Sequence, residues 1–105
     1  MTFEKIKVGY VLIARTSTRD KSGKTTNTEA SKLATNHVYM EWEKARKARQ
    51  RFVETLLLTC DTAEPIRAIG RDGFPTDEYK GFIIHYDDGG RYESEIEIQR
   101  VSFDE

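Results

Sequence analysis

The stretch "YKGFIIHYDDGGRYESEIEIQRV", residues 79–101, constrains the fold more than any other part of the chain. In its first half Phe82, Ile84 and Tyr86 recur at every second position. In its second half Tyr92, Ile96 and Ile98 share one parity, and Glu93, Glu95 and Glu97 hold the other. Alternation with a period of two is the signature of a strand with one buried face. Between the two runs lies Asp88-Gly89, which, or its neighbours, can supply the positive φ that a tight hairpin turn demands. A chain built around this hairpin needs an antiparallel sheet and something to cover its apolar face.

The cover is expected from "TNTEASKLATNHVYMEWEKARKARQRFVETLLLTC". Ala30, Leu33, Ala34, Val38, Trp42, Ala45, Phe52 and Leu56 recur near helical spacing. Thr26 followed by Glu29 fits a capping box. An unbroken helix over residues 28–60 would be about 50 Å long at ~1.5 Å per residue. A compact chain of this size has a radius of gyration near ~13 Å. Such a helix must overhang, break near Arg51, or pack on a second copy. Residues 52–60 also alternate, so a strand there stays open as an alternative.

Phe3 to Ala14 reads as a strand, with Gly9 marking a bulge or a close backbone approach. Residues 60–81, punctuated by Pro65, Gly70, Gly73 and Pro75, read mainly as loop, with a short strand at "IRAI". The expected fold is α+β: an antiparallel sheet of three or four strands with one long amphipathic helix on one face, in the order β-α-(β)-β-β. Residues 1–105 are expected to form a single domain.

Composition narrows the function classes. The chain is 37% hydrophobic and 33% charged, with one cysteine and two histidines. No apolar run approaches the ~18 residues of a membrane span, and a lone Cys60 fits a reducing, cytoplasmic setting. The histidines and cysteine form no zinc framework, and no metal or cofactor is expected. Charge is split along the chain: residues 1–52 carry a net +7 and residues 53–105 a net −8. The halves therefore cover each other, or each meets a different partner.

Two short motifs fall in the polar stretch "ARTSTRDKSGKTTNT", residues 14–28. "SGKTT" matches the end of a phosphate-binding P-loop at Gly23, Lys24 and Thr25. The first glycine of that motif would stand at Thr18, and the chain is short for the parallel sheet such proteins need. "ARTSTRD" resembles the active-site segment of serine recombinases over about six residues. That resemblance would make Ser17 a nucleophile and Arg15 its partner. Ile13 stands where that family usually has Tyr, and no alternating strands follow. The stretch is expected to be a flexible, cationic loop over about 15–27. His85 with Asp87 offers a further acid/base pair or half a metal site, but no other ligands cluster nearby in sequence.

Binding surfaces are the stronger signal. Lys44, Lys47 and Arg51 fall on one helical stripe, with Arg46 and Arg49 beside it. Asp87, Asp88, Glu93, Glu95 and Glu97 form an acidic counterpart, which pairs with a cationic neighbour or imitates nucleic acid before a basic protein. The sequence therefore points to a small non-catalytic interaction protein that binds a protein partner through charged surfaces. By analogy alone, accessory or inhibitor proteins of phages and mobile elements look like this. A nucleic-acid-binding module using the basic helix face is one alternative, and a phosphate-handling enzyme at residues 15–26 another. A homodimer is a further expectation.

Overall fold

The computed structural model describes the backbone of residues 6–104 and the side chains of 7–103. Its elements run β1 (Ile6–Arg19), β2 (Thr25–Thr28), β3 (Lys32–Leu33), α1 (Trp42–Thr59), β4 (Ala63–Ile69), β5 (Pro75–His85) and β6 (Arg91–Asp104). The strands form one six-stranded antiparallel sheet in the order β2-β1-β6-β5-β4, with β3 also on β1. The α+β class and the helix across one face match expectation. The sheet is larger than the three or four strands foreseen, and the part of the expected first strand before residue 6 lies outside the described residues.

The ribbon of β1 and β6 is the spine of the sheet. It pairs without a break from Ile6 opposite Asp104 to Arg19 opposite Arg91. Long strands make the molecule elongated, at 63 × 30 × 28 Å with a radius of gyration of 16.4 Å. Even-numbered residues of β6 and β1 face the helix. Leu12, Phe82 and Ile96 meet Ala45 and Val53 there, and Leu12, Ala45 and Val53 have no exposed surface. Burying each of the larger of these side chains is worth about 1.5–3 kcal/mol. Thr16 and Ser94, directly opposed, satisfy each other's buried hydroxyls at 3.1 Å.

The helix is shorter than expected. It starts at Trp42, and residues 25–40 run instead along the outer edge of β1. Thr26, foreseen as a cap, donates its hydroxyl to Thr18 O at 3.2 Å, and Glu29 pairs with Lys32. The threonines of "TTNT" are β-branched and suit a strand once an edge is offered. Strand β1 presents that edge, and its unpaired groups outweigh the local helical spacing. From Trp42 onward the sequence is rich in strong helix formers. Glu41 and Glu43 at its start pair with Lys44 and Arg46. Residues 52–59 continue the helix, because Val53, Leu56 and Leu57 prolong the stripe that Ala45 begins. A helix this short removes the length argument for a second copy.

The loop foreseen over 15–27 is a hairpin. Residues 15–19 complete β1, and β2 returns antiparallel beside them. Residues 60–81 are also mostly strand, since β4 and the first half of β5 pair as a second hairpin. The turn of the third hairpin matches expectation: Gly89 has φ 88°, and Asp88 Oδ1 accepts from the Gly90 N–H at 2.8 Å.

Strands β5 and β6 stay together only between Gly81–Glu95 and His85–Arg91. At Gly81 the backbones are so close that a Cβ would lie 2.1 Å from Ser94 O. Beyond it, β5 leaves β6, and α1 settles over the opening. The side-chain amide of Gln50 acts as a substitute strand there. Its Nε2 donates to Asp77 O at 3.1 Å, and its Oε1 accepts from the Tyr79 N–H at 2.7 Å.

Candidate functional site

The charged residues named from sequence divide into two groups once their neighbours are known. The acidic row is compensated. Glu97 meets Arg15 at 2.8 Å, Glu95 meets Lys80 at 3.4 Å, and Glu93 accepts from both Arg19 and Arg91. These pairs cover the sheet face away from the helix. Hydrogen bonding from Arg91, opposed by burial and aided by Arg19, holds the Glu93 carboxyl below its ordinary range. Two of these cations, Arg15 and Arg19, come from strand positions that the sequence had suggested were loop. Asp88 is spent on its turn, leaving Asp87 exposed beside it.

Arg46 and Arg49 are also spent. Both donate to Glu78 Oε1, from Arg46 Nε at 2.9 Å and from Arg49 Nη2 at 2.7 Å. Arg49 further donates to Ile96 O at 3.2 Å, at the point where β5 has left β6. These two residues fasten the helix to the sheet and are not a free cationic face.

Lys44, Lys47 and Arg51 are placed differently. They project from the other side of α1, all exposed, and line a groove of about 740 Å³. Lys44 makes a solvent-exposed pair with Glu41 at 3.3 Å, the kind that water screens strongly. Lys47 and Arg51 make no ion pair among the described residues. The floor is apolar, formed by Ala48, Phe52 and Leu56, which are half-buried against the core. Thr55 and Thr59 finish the groove at the helix C-terminus. The positions 44, 47, 48, 51, 52, 55, 56 and 59 form one continuous helical stripe.

The opposite wall is Thr35, His37 and Tyr39. The sheet explains how these residues get there. Ala34 N–H donates to Leu12 O at 2.8 Å, and Tyr39 exchanges two backbone bonds with Tyr10. Between those anchors residues 35–38 form bends and irregular backbone that leave β1 and place Thr35 and His37 beside the helix. The His37 and Tyr39 rings lie 4.5 Å apart, tilted by 53°. Thr35 Oγ1 is buried and has no hydrogen-bond partner among the described residues. Sequence reasoning missed this wall because it read residues 28–41 as helix. The β-branched and Asn-containing run "ATNHVYM" was the available signal.

The other candidates are not brought together. Asp20 occupies the nest that a P-loop would offer to phosphate: its Oδ1 accepts from the N–H groups of Ser22 and Lys24 and from the Ser22 hydroxyl. Those bonds lower its pKa, the Ser22 hydroxyl contributing most. Ser17 lies within β1 opposite Glu93. His85 Nε2 faces Glu64 at 3.1 Å on the neighbouring strand, not Asp87. Among the described residues no group of three or more His, Cys, Asp or Glu is placed to hold a metal, and no helix is long and apolar enough to cross a membrane. In comparison with known proteins, the chain matches no family model, no curated protein and no solved structure.

Proposed function

We propose that this protein is a small interaction domain that acts by capturing a protein partner through charged side chains. One observation carries the reading. The acidic row, Arg46 and Arg49 are all paired within the fold, whereas Lys47 and Arg51 make no ion pair among the described residues and stand beside an apolar floor. A cationic rim around apolar surface favours a partner that is acidic and partly apolar, because complementary charge speeds encounter and apolar contact holds the complex. The test is affinity capture from the native host with wild type and with Lys47→Glu/Arg51→Glu. A protein retained by wild type at low salt and lost at high salt and in the variant supports the reading. Capture of no protein under any condition refutes it.

A second reading rests on the same row. Lys44, Lys47 and Arg51 rise along the helix by steps of about 4.5 and 6 Å, which suits successive phosphates of a nucleic acid. Titration with single-stranded and duplex oligonucleotides at low salt decides between them, since electrostatic binding is strongest there.

A further inference from the structure

We infer that the groove beside α1 is the docking site for one acidic, amphipathic helix of the partner, an inference that rests on the protein-binding reading above. Three observations carry it. The first is length. The groove follows α1 from Lys44 to Thr59, about 22 Å at ~1.5 Å per residue. A partner helix of about four turns spans it.

The second is the distribution of charge. Lys44, Lys47 and Arg51 occupy the first half of the groove, and the apolar Phe52 and Leu56, with the uncharged Thr55 and Thr59, the second. The occupant is therefore anionic along one half and apolar along the other. A small compact anion would leave the apolar half empty.

The third is the backbone of the far wall. The groups of Ala34 and Tyr39 bond to β1, so they are turned away from the groove. An extended peptide needs a regular strand edge to join, and residues 35–38, between those two anchors, form bends and irregular backbone and no strand. A helix satisfies its own backbone and needs only side-chain pockets.

A library of random 16-residue peptides displayed on phage, panned on the wild-type protein, tests this directly. The enriched sequences are expected to carry Asp and Glu in one half and apolar residues at i, i+3 or i+4, and i+7 in the other. A synthetic copy gains helical circular dichroism on binding, and shifts the amide resonances of Thr35, His37 and Tyr39. Its affinity falls at least about tenfold in Lys47→Glu/Arg51→Glu, checked to be folded, and less in Lys47→Gln/Arg51→Gln. Enrichment of neutral or basic peptides, or binding indifferent to the charge reversal, overturns the inference. So does an oligonucleotide that binds the groove when no peptide is enriched, or a dimer that the same substitutions dissolve. If a host protein is captured but charge reversal leaves capture intact, the groove is not the site while the protein-binding reading stands. If neither a peptide nor a host protein is captured, both fall.

Discussion

Arg49 and Glu78 meet at 2.7 Å across the opening where β5 departs from β6, and Arg49 is only 12% exposed there. The guanidinium holds one strand by its side chain and the other, at Ile96, by its backbone. Replacing Arg49 with Met is expected to cost about 2 kcal/mol, because the Glu78 carboxylate loses a charged donor in a half-buried place. Urea denaturation measures it, and an unchanged midpoint would show that the opening holds without the clamp.

The same pair sets a pH dependence. Burial pushes the Glu78 carboxyl up, and hydrogen bonds from Arg46 and Arg49 outweigh it, so the net shift is downward. A carboxyl whose folded pKa is depressed adds stability above its unfolded value of about 4.3, and that stability is lost as pH falls through the folded value. Glu78→Gln should therefore be less stable than wild type at neutral pH, and the gap should close in acid. A gap that stays constant down to the acid transition would contradict the assignment.

Gln50 makes a separable prediction. Gln50→Ala removes both bonds to the free edge of β5 and is expected to cost about 1 kcal/mol. The Tyr79 amide should exchange with solvent faster than in wild type. Gln50→Glu keeps the acceptor for Tyr79 but loses the donor to Asp77, and should fall between the two. Hydrogen exchange followed by NMR ranks the three proteins.

Gly81→Ala would place a methyl carbon 2.1 Å from Ser94 O and 2.9 Å from the Glu95 Cα. Both are backbone atoms in a paired strand, so neither can swing aside. A loss of about 3 kcal/mol or more is expected, at the upper end of overpacking costs. Thermal unfolding of the variant beside Gly73→Ala, whose methyl would meet nothing within 4 Å among the described residues at φ 82°, separates crowding from backbone conformation.

Reversing the acidic row is expected to damage the fold more than any surface function. Glu93→Lys, Glu95→Lys and Glu97→Lys together would set new cations against Arg19, Arg91, Lys80 and Arg15. Single Gln substitutions should be mild at the exposed Glu95 and Glu97, where ion pairs are worth up to about 1 kcal/mol, and larger at Glu93. A triple variant as stable as wild type would show that the face has charge to spare.

What was legible in the sequence was local. The hairpin from residue 79 to 101 follows from period-two alternation and one Asp-Gly turn, both set by neighbouring residues. The parity of Glu93, Glu95 and Glu97 was readable for the same reason. Their partners were not, because Arg15 and Arg19 look like loop residues until β6 lies beside them. Residues 25–40 illustrate the limit most clearly. Thr26 and Glu29 satisfy a helical rule and the threonine run satisfies a strand rule, and the choice is made by the edge of β1. For the groove, the stripe of Lys44, Lys47 and Arg51 was visible in helical spacing. The diversion of Arg46 and Arg49 was not, since Glu78 lies 32 and 29 residues away from them.

The unbroken pairing of β1 with β6 also determines when this protein can fold. Thr16 and Ser94, which close on each other in its interior, are 78 residues apart in the chain. Such distant closure carries a large entropic cost before any contact rewards it, so folding is slow compared with that of a helical protein of equal size. On the ribosome β1 emerges before the other strands of the sheet and waits for β6, the last of them. Until then its arginines face water unpaired, and this early charge keeps a nascent edge strand from joining the wrong neighbour.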